Sequence, residues 1–168
     1  MAYMPDRPIT VYQLVKERFV DTPLSAEGAR RWGGRWNPKG VGILYTSASP
    51  ELALLEQLVH LPTLPYDDLP QLFLLTIVLP DNPRIIPPDR LPLNWRDEAS
   101  FANNHRLLAN WLAAPDVLAV GVQSAVVAES LNYLLHPLHP SFSQIQVTQS
   151  KPFLLDSRLW RSDRLSQT

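Results

Sequence analysis

Glu56, Arg35 and Ser124 are the side chains whose surroundings in the sequence suggest chemistry. Glu56 follows Ser49-Pro50-Glu51, an N-capping serine, a proline at the first helical position and an early acid, so it falls on a helix expected to run to about Leu61 before Pro62. At roughly 100° per residue, Glu56 lies about 40° around that helix from Leu52, among Leu52, Ala53, Val59 and His60, on a sector otherwise facing protein. A carboxylate there either pairs with an arginine for structure or is a partly desolvated acid at a site. In the second case its charge would stabilise a cation or accept a substrate hydroxyl.

Five of the six glycines (Gly28, Gly33, Gly34, Gly40, Gly42) fall within residues 28–42, together with Arg30, Arg31, Arg35, Lys39 and no acid. Close backbone approach and forked guanidinium contacts make this a candidate anion-binding loop. Within Gly33-Gly34-Arg35-Trp36-Asn37, Arg35 is the best anion ligand; the alternative is a surface arginine stacked on tryptophan. The glycine spacing matches neither a dinucleotide-binding fingerprint nor a Walker A loop. Tyr45 either presents its ring to a flat heterocycle or packs in the core. Ser124, three residues after Gly121, either hydrogen-bonds a ligand or marks a strand irregularity. His136 and His139 have the spacing of a metal-binding pair, but Pro137 and Pro140 break the helix that would align them, so loop packing is the better reading and no metal is expected.

The elements that must position these groups read as interspersed strands and helices without a βαβ rhythm, an α+β class in one domain. Strands are expected at 9–15, 43–47, 71–79, within 117–127 broken by Gly121, Gln123 and Ser124, and at 144–148 and 153–155. A second helix is expected from about Glu98 to Ala114, stopped by Pro115. Segment 21–42 reads as a long loop anchored by Trp32 and Trp36. Segment 80–92, with five prolines, reads as an ordered connection, and 132–140 as containing a proline-punctuated loop. Residues 1–8 and 161–168 are expected to be flexible flanks of a domain over 9–160.

Composition narrows the functions. The net charge of −1 provides no global field for nucleic acid or an anionic membrane. No apolar stretch is long enough to span a bilayer and the N-terminus lacks a signal-like apolar region, so a soluble, cytoplasmic protein is expected. The absence of cysteine excludes disulfides, thiolate nucleophiles and cysteine-based metal sites.

The combination of Val11-Tyr12-Gln13-Leu14, Leu24-Ser25-Ala26-Glu27-Gly28-Ala29-Arg30, Gly33-Gly34-Arg35-Trp36-Asn37, Leu44-Tyr45-Thr46-Ser47, Leu52-Ala53-Leu54-Leu55-Glu56, Gln123-Ser124-Ala125, Glu129-Ser130-Leu131-Asn132-Tyr133 and His136-Pro137-Leu138-His139-Pro140 closely resembles the RES domain, the toxin of RES–Xre toxin–antitoxin pairs. The resemblance covers about residues 9–160. It implies a fold similar to ADP-ribosyltransferase toxins, with a mixed or antiparallel central sheet, flanking helices and NAD as the substrate destroyed, by hydrolysis or by phosphorolysis with inorganic phosphate as co-substrate. Arg35, Glu56 and Ser124 match the Arg, Glu and Ser that name the family, and Tyr45 its associated tyrosine.

On that resemblance Arg35 holds the pyrophosphate, Tyr45 stacks on a base or on nicotinamide, Ser124 orients the nicotinamide ribose or amide, and Asn132 and Gln13 contribute to substrate binding. Relatives usually carry Arg where this chain has Gln13, leaving an attenuated, antitoxin-binding domain as one alternative. Transfer of ADP-ribose to a macromolecule is another; against it, Leu54 stands where a second acid would precede Glu56 by two residues. The implied partner is an Xre-type helix-turn-helix antitoxin that recognises DNA, with a homodimer inside a larger assembly.

Overall fold

The computed structural model describes residues 8–160, so the terminal segments expected to be flexible lie almost wholly outside it. Seven strands form one mixed sheet in the order β4-β5-β6-β2-β1-β3-β7, an α+β fold. The strands are β1 (Ile9–Lys16), β2 (Leu44–Ser47), β3 (Leu72–Leu79), β4 (Arg84–Ile85), β5 (Ala119–Gln123), β6 (Leu131–Leu135) and β7 (Gln146–Phe153). All neighbours are antiparallel except the short edge pair β4 and β5. The helices are α1 (Glu27–Trp32), α2 (Pro50–Leu58), α3 (Phe101–Leu107) and α4 (Ala109–Ala113).

The ladders divide the sheet into two well-paired halves. β1 pairs with β3 along its whole length, and β2 pairs with β6 from Leu44 to Ser47. Between the halves, β1 and β2 share a single register pair, Tyr12 opposite Ser47. One core spans this seam, joining Val11, Val15, Leu75, Ile77 and Leu79 to Leu44 and Leu135. A second gathers Trp36, Trp95, Trp111, Val120, Val122 and Leu134, and a third packs Leu14, Leu72 and Leu74 against Ala53 of α2. α2 begins as expected, with Ser49 Oγ accepting the Leu52 amide at 3.1 Å and Pro50 in the first turn.

Several expectations are corrected. The presumed loop 21–42 contains α1, where Glu27 makes a two-bond fork to Arg30 at 2.8 and 2.6 Å before Gly33, at φ +69°, ends the helix. Segment 132–140 does contain its loop, but it opens with a strand that was not expected. Its first residues belong to β6, paired on both edges, and the proline-bearing turn starts only at His136. β5 runs unbroken through Gly121, the two expected closing strands are one strand, β7, with a register shift opposite Thr76 and Ile77, and the proline-rich connection contributes β4. The expected second helix is a 3-10 turn followed by α3 and α4, divided at Leu108, whose φ and ψ of −99° and 7° leave helical geometry.

His136 and His139 serve the turn. His136 is buried edge-on to Trp111 at 5.0 Å, its Nδ1 accepts the Leu138 amide at 3.2 Å, and its Nε2–H therefore donates to Leu112 O at 3.1 Å. His139 Nδ1 accepts the Ser141 amide. Burial, the largest influence, pulls the His136 imidazole below its ordinary pKa, with the bond to Leu112 opposing. The unfolded chain therefore binds this proton more readily, and stability falls as pH drops below about 6.5 by at most about 1.4 kcal/mol per pH unit from this group. Chemical denaturation at pH 7.5 and 5.5 should show a larger loss for the wild type than for His136→Asn.

Candidate active site

The side chains singled out from the sequence gather where β1 and β2 part. A cavity of about 500 Å³ opens there, within the usual size range of small-molecule sites. Tyr12, Gln13 and Leu14 of β1 and Tyr45, Thr46 and Ser47 of β2 form facing walls; Arg35, Glu56 and Asn132 also line it. Ser124 does not line it; it lies behind the wall, fully buried.

Glu56 is held in place by hydrogen bonds from two other elements. Its Oε1 accepts Ser124 Oγ at 2.7 Å and Asn132 Nδ2 at 2.6 Å. Asn132 is in turn oriented by Ser47 Oγ, which donates to its Oδ1 at 2.9 Å. Ser124 Oγ accepts the amides of Val126 and Val127, both at 3.0 Å, so its single proton is directed to the carboxylate. The network links α2, the turn after β5, β6 and β2 at the edge of the seam, and α2 in turn packs on Leu14 of β1 through Ala53. Among the described residues, Oε2 of Glu56 has no protein hydrogen-bond partner, which leaves a carboxylate oxygen for a ligand. The Ser124 hydroxyl is thus turned to Glu56 and not to the cavity.

Arg35 approaches from the glycine-rich loop. Its Nη1 donates to Trp95 O at 3.2 Å and to Arg96 O, and its guanidinium lies 4.8 Å from the Phe101 ring centre and 5.8 Å from that of Trp95. Burial pulls its pKa down, and the negative charge of Glu56 is the largest opposing influence, so the two groups feel one another across the cavity. The other cations of the loop play no comparable part. Arg30 and Arg31 are exposed and pair with Glu27, just before the acid-free window, which reduces the expected cationic loop to Arg35 at the cavity.

The loop around Arg35 is fixed by a buried polar hub. Asn37, fully buried, donates through Nδ2 to Ala29 O and Val41 O, both at 2.8 Å, and accepts the Tyr45 hydroxyl at 2.7 Å. The Tyr45 oxygen accepts the Trp36 amide at 3.1 Å, and burial pushes its phenol well above the ordinary range. A Cβ on Gly34 would come within 2.8 Å of that hydroxyl, so glycine is required there. His105 Nε2 binds Gly34 O at 2.8 Å, and Asn104 Nδ2 donates to Trp95 O, the carbonyl that also receives Arg35. Asn37, Ser47, Asn104 and His105 were not assigned these roles from sequence, because their partners lie on other segments and their own neighbours are polar or mixed. Among the described residues no group of three His, Cys, Asp or Glu could hold a metal, and no helix is long and apolar enough to cross a membrane.

Comparison with known proteins gives this arrangement a context. The profile of the RES domain family matches residues 10–156. Toxin Res of Yersinia enterocolitica is 33% identical over 151 residues, covering 89% of this chain and 98% of that protein. Toxin Res of Photorhabdus laumondii is 30% identical over 158 residues, covering 92% and 99%. The Prs ADP-ribosylating toxin of a Sphingobium species is 33% identical over 144 residues, covering 82% and 87%.

The network has a measurable cost of disruption. Ser124→Ala removes one donor to Glu56 and strands two amides, and should destabilise the protein by about 1–3 kcal/mol in urea denaturation. Ser47→Ala, one link further out, should cost less. Equal and near-zero losses would dissolve the network reading.

Proposed function

Because the chain belongs to the RES family, matched along most of its length, we propose that it is a toxin enzyme that cleaves the nicotinamide–ribose bond of NAD. The observation that carries this reading is the Glu56 carboxylate, fixed at one oxygen by Ser124 and Asn132 and open at the other to a cavity that also holds Arg35. The adenine–ribose–pyrophosphate portion of the substrate lies along the cleft, with the pyrophosphate on Arg35, whose positive charge and stacked, carbonyl-anchored geometry suit a bidentate anion. Tyr45 serves this site by holding the Arg35 loop, and it stacks on a base or on nicotinamide from its place in the cavity lining.

In the reaction the bond between the ribose carbon and the pyridinium nitrogen breaks with its electron pair going to nicotinamide, which leaves neutral. Positive charge develops on the ribose, and the Glu56 carboxylate, accepting a ribose hydroxyl at Oε2, stabilises it most at that point. Water then adds with loss of a proton, giving ADP-ribose; inorganic phosphate adding instead gives ADP-ribose phosphorylated at the same carbon. Fixing Oε1 in advance limits reorganisation of the carboxylate as charge forms.

The second reading, transfer of ADP-ribose to a macromolecule, is favoured by the name of the Sphingobium relative. Opposing it, Leu54, two residues before Glu56, packs against the Leu14 and Leu74 core and supplies no second acid. The partner in the toxin–antitoxin reading is an Xre-type protein that supplies DNA recognition, in keeping with a net charge of −1, and the toxin is a homodimer in that assembly.

Purified protein incubated with NAD, with and without phosphate, should release nicotinamide and a small product whose mass distinguishes the two acceptors. Glu56→Gln should lower kcat by about 10²–10³-fold, and Arg35→Ala should raise KM more than it lowers kcat. Intact NAD under both conditions would overturn the proposal, and adenine label retained on protein would favour transfer.

A further inference from the structure

Among the described residues, two buried side-chain oxygens lack a hydrogen-bond partner, Gln13 Oε1 and Asn104 Oδ1. They differ in setting. Asn104 uses its other end to hold Trp95 O and is not part of the cavity wall. Gln13 lines the cavity and makes no hydrogen bond through either end of its amide.

The position is an unexpected one for an amide. Gln13 lies between Val11 and Val15 on one side of β1, both core residues, and opposite the fully buried Leu75 of β3. It is also the first residue past the single pair joining β1 to β2, where Thr46 lines the facing wall. A shielded carbonyl oxygen without a donor is destabilising, and such groups in folded proteins call for an explanation, commonly a missing partner.

We infer that Gln13 reads an amino-bearing group of the bound dinucleotide, accepting its N–H at Oε1 and donating Nε2–H to the acceptor beside it. A primary carboxamide and the amino edge of adenine both present a donor next to an acceptor, the pattern a glutamine amide matches with two bonds. Gln13 is thus a specificity residue of the cavity. The inference rests on the NAD reading above.

The test uses the full chain with three substrates: NAD, the dinucleotide with nicotinic acid in place of nicotinamide, and the dinucleotide with hypoxanthine in place of adenine. Wild-type protein should show KM raised about tenfold for the analogue that lacks the amino group Gln13 reads, and an unchanged KM for the other, the ratio of one ordinary hydrogen bond. Gln13→Met, close in shape and free of polar atoms, should raise KM for NAD by a similar factor with kcat within about threefold, and should lose nothing further on the discriminated analogue. Without ligand its melting temperature should equal or exceed that of the wild type, since an unpaired acceptor has been removed.

A wild type indifferent to both analogues, a Gln13→Met variant with unchanged KM for NAD, or a ligand-free variant that melts well below the wild type would each overturn the inference while leaving NAD cleavage intact. The second result would mean that water alone satisfies the amide. A wild type that neither consumes NAD nor is stabilised by it removes both readings.

Discussion

The short bonds to one oxygen of Glu56 hold together parts of the chain that the sheet itself leaves loosely joined. Ser124 and Asn132 come from the turn after β5 and from β6, Glu56 from α2, and α2 rests on β1. Breaking this contact would leave a carboxylate at the seam with no fixed direction, and the Ser124 hydroxyl and the Asn132 amide without their acceptor. The open seam gives the other oxygen of this carboxylate a cavity to face, which a fully zipped β1–β2 ladder would close. Local stability and the shape of the site therefore depend on one polar cluster rather than on apolar packing alone.

Arg35 is organised by a different principle. The cation is surrounded by aromatic rings and main-chain carbonyls, and the loop carrying it is held by the Asn37–Tyr45 hub. The structure thus keeps its cation and its carboxylate on separate supports, one built on the α3 side and the other on α2 and β6. Each can be oriented without a direct ion pair, which would neutralise both and close the cavity between them. Long-range attraction between them remains, in a cavity partly shielded from water where charges interact more strongly than in solvent.

Local pattern was sufficient for β1, β2, α2 and β3, whose β-branched runs, cap and bounding prolines lie within a few residues of one another. It failed where stability comes from distant partners. β6 was hidden because Asn132 and Tyr133 are unremarkable strand residues next to a proline-rich turn, and only pairing with both β2 and β5 makes them central. α1 was hidden by its glycine, and its support is the Glu27 fork. At the site, the types of Arg35, Glu56 and Ser124 were legible, but the bond between Ser124 and Glu56 spans 68 positions, and nothing local distinguishes a serine that touches a ligand from one that aims a carboxylate. Distance also hid the role of Gln13, whose type was visible and whose surroundings were not, whereas the Glu27 that neutralises Arg30 lies only three positions before it.

The single pair joining β1 to β2 also bears on how alignment errors travel. In a continuous sheet, a one-residue slip of any strand turns its side chains over and obliges its neighbours to follow. Here β1, β3 and β7 set their alignment among themselves, and β2, β6, β5 and β4 among themselves. A bulge or a change of strand length in one half, such as the shift already present between β3 and β7, can be absorbed without disturbing the other. The molecule can thus vary one wall of its cleft while the opposite wall keeps its phase.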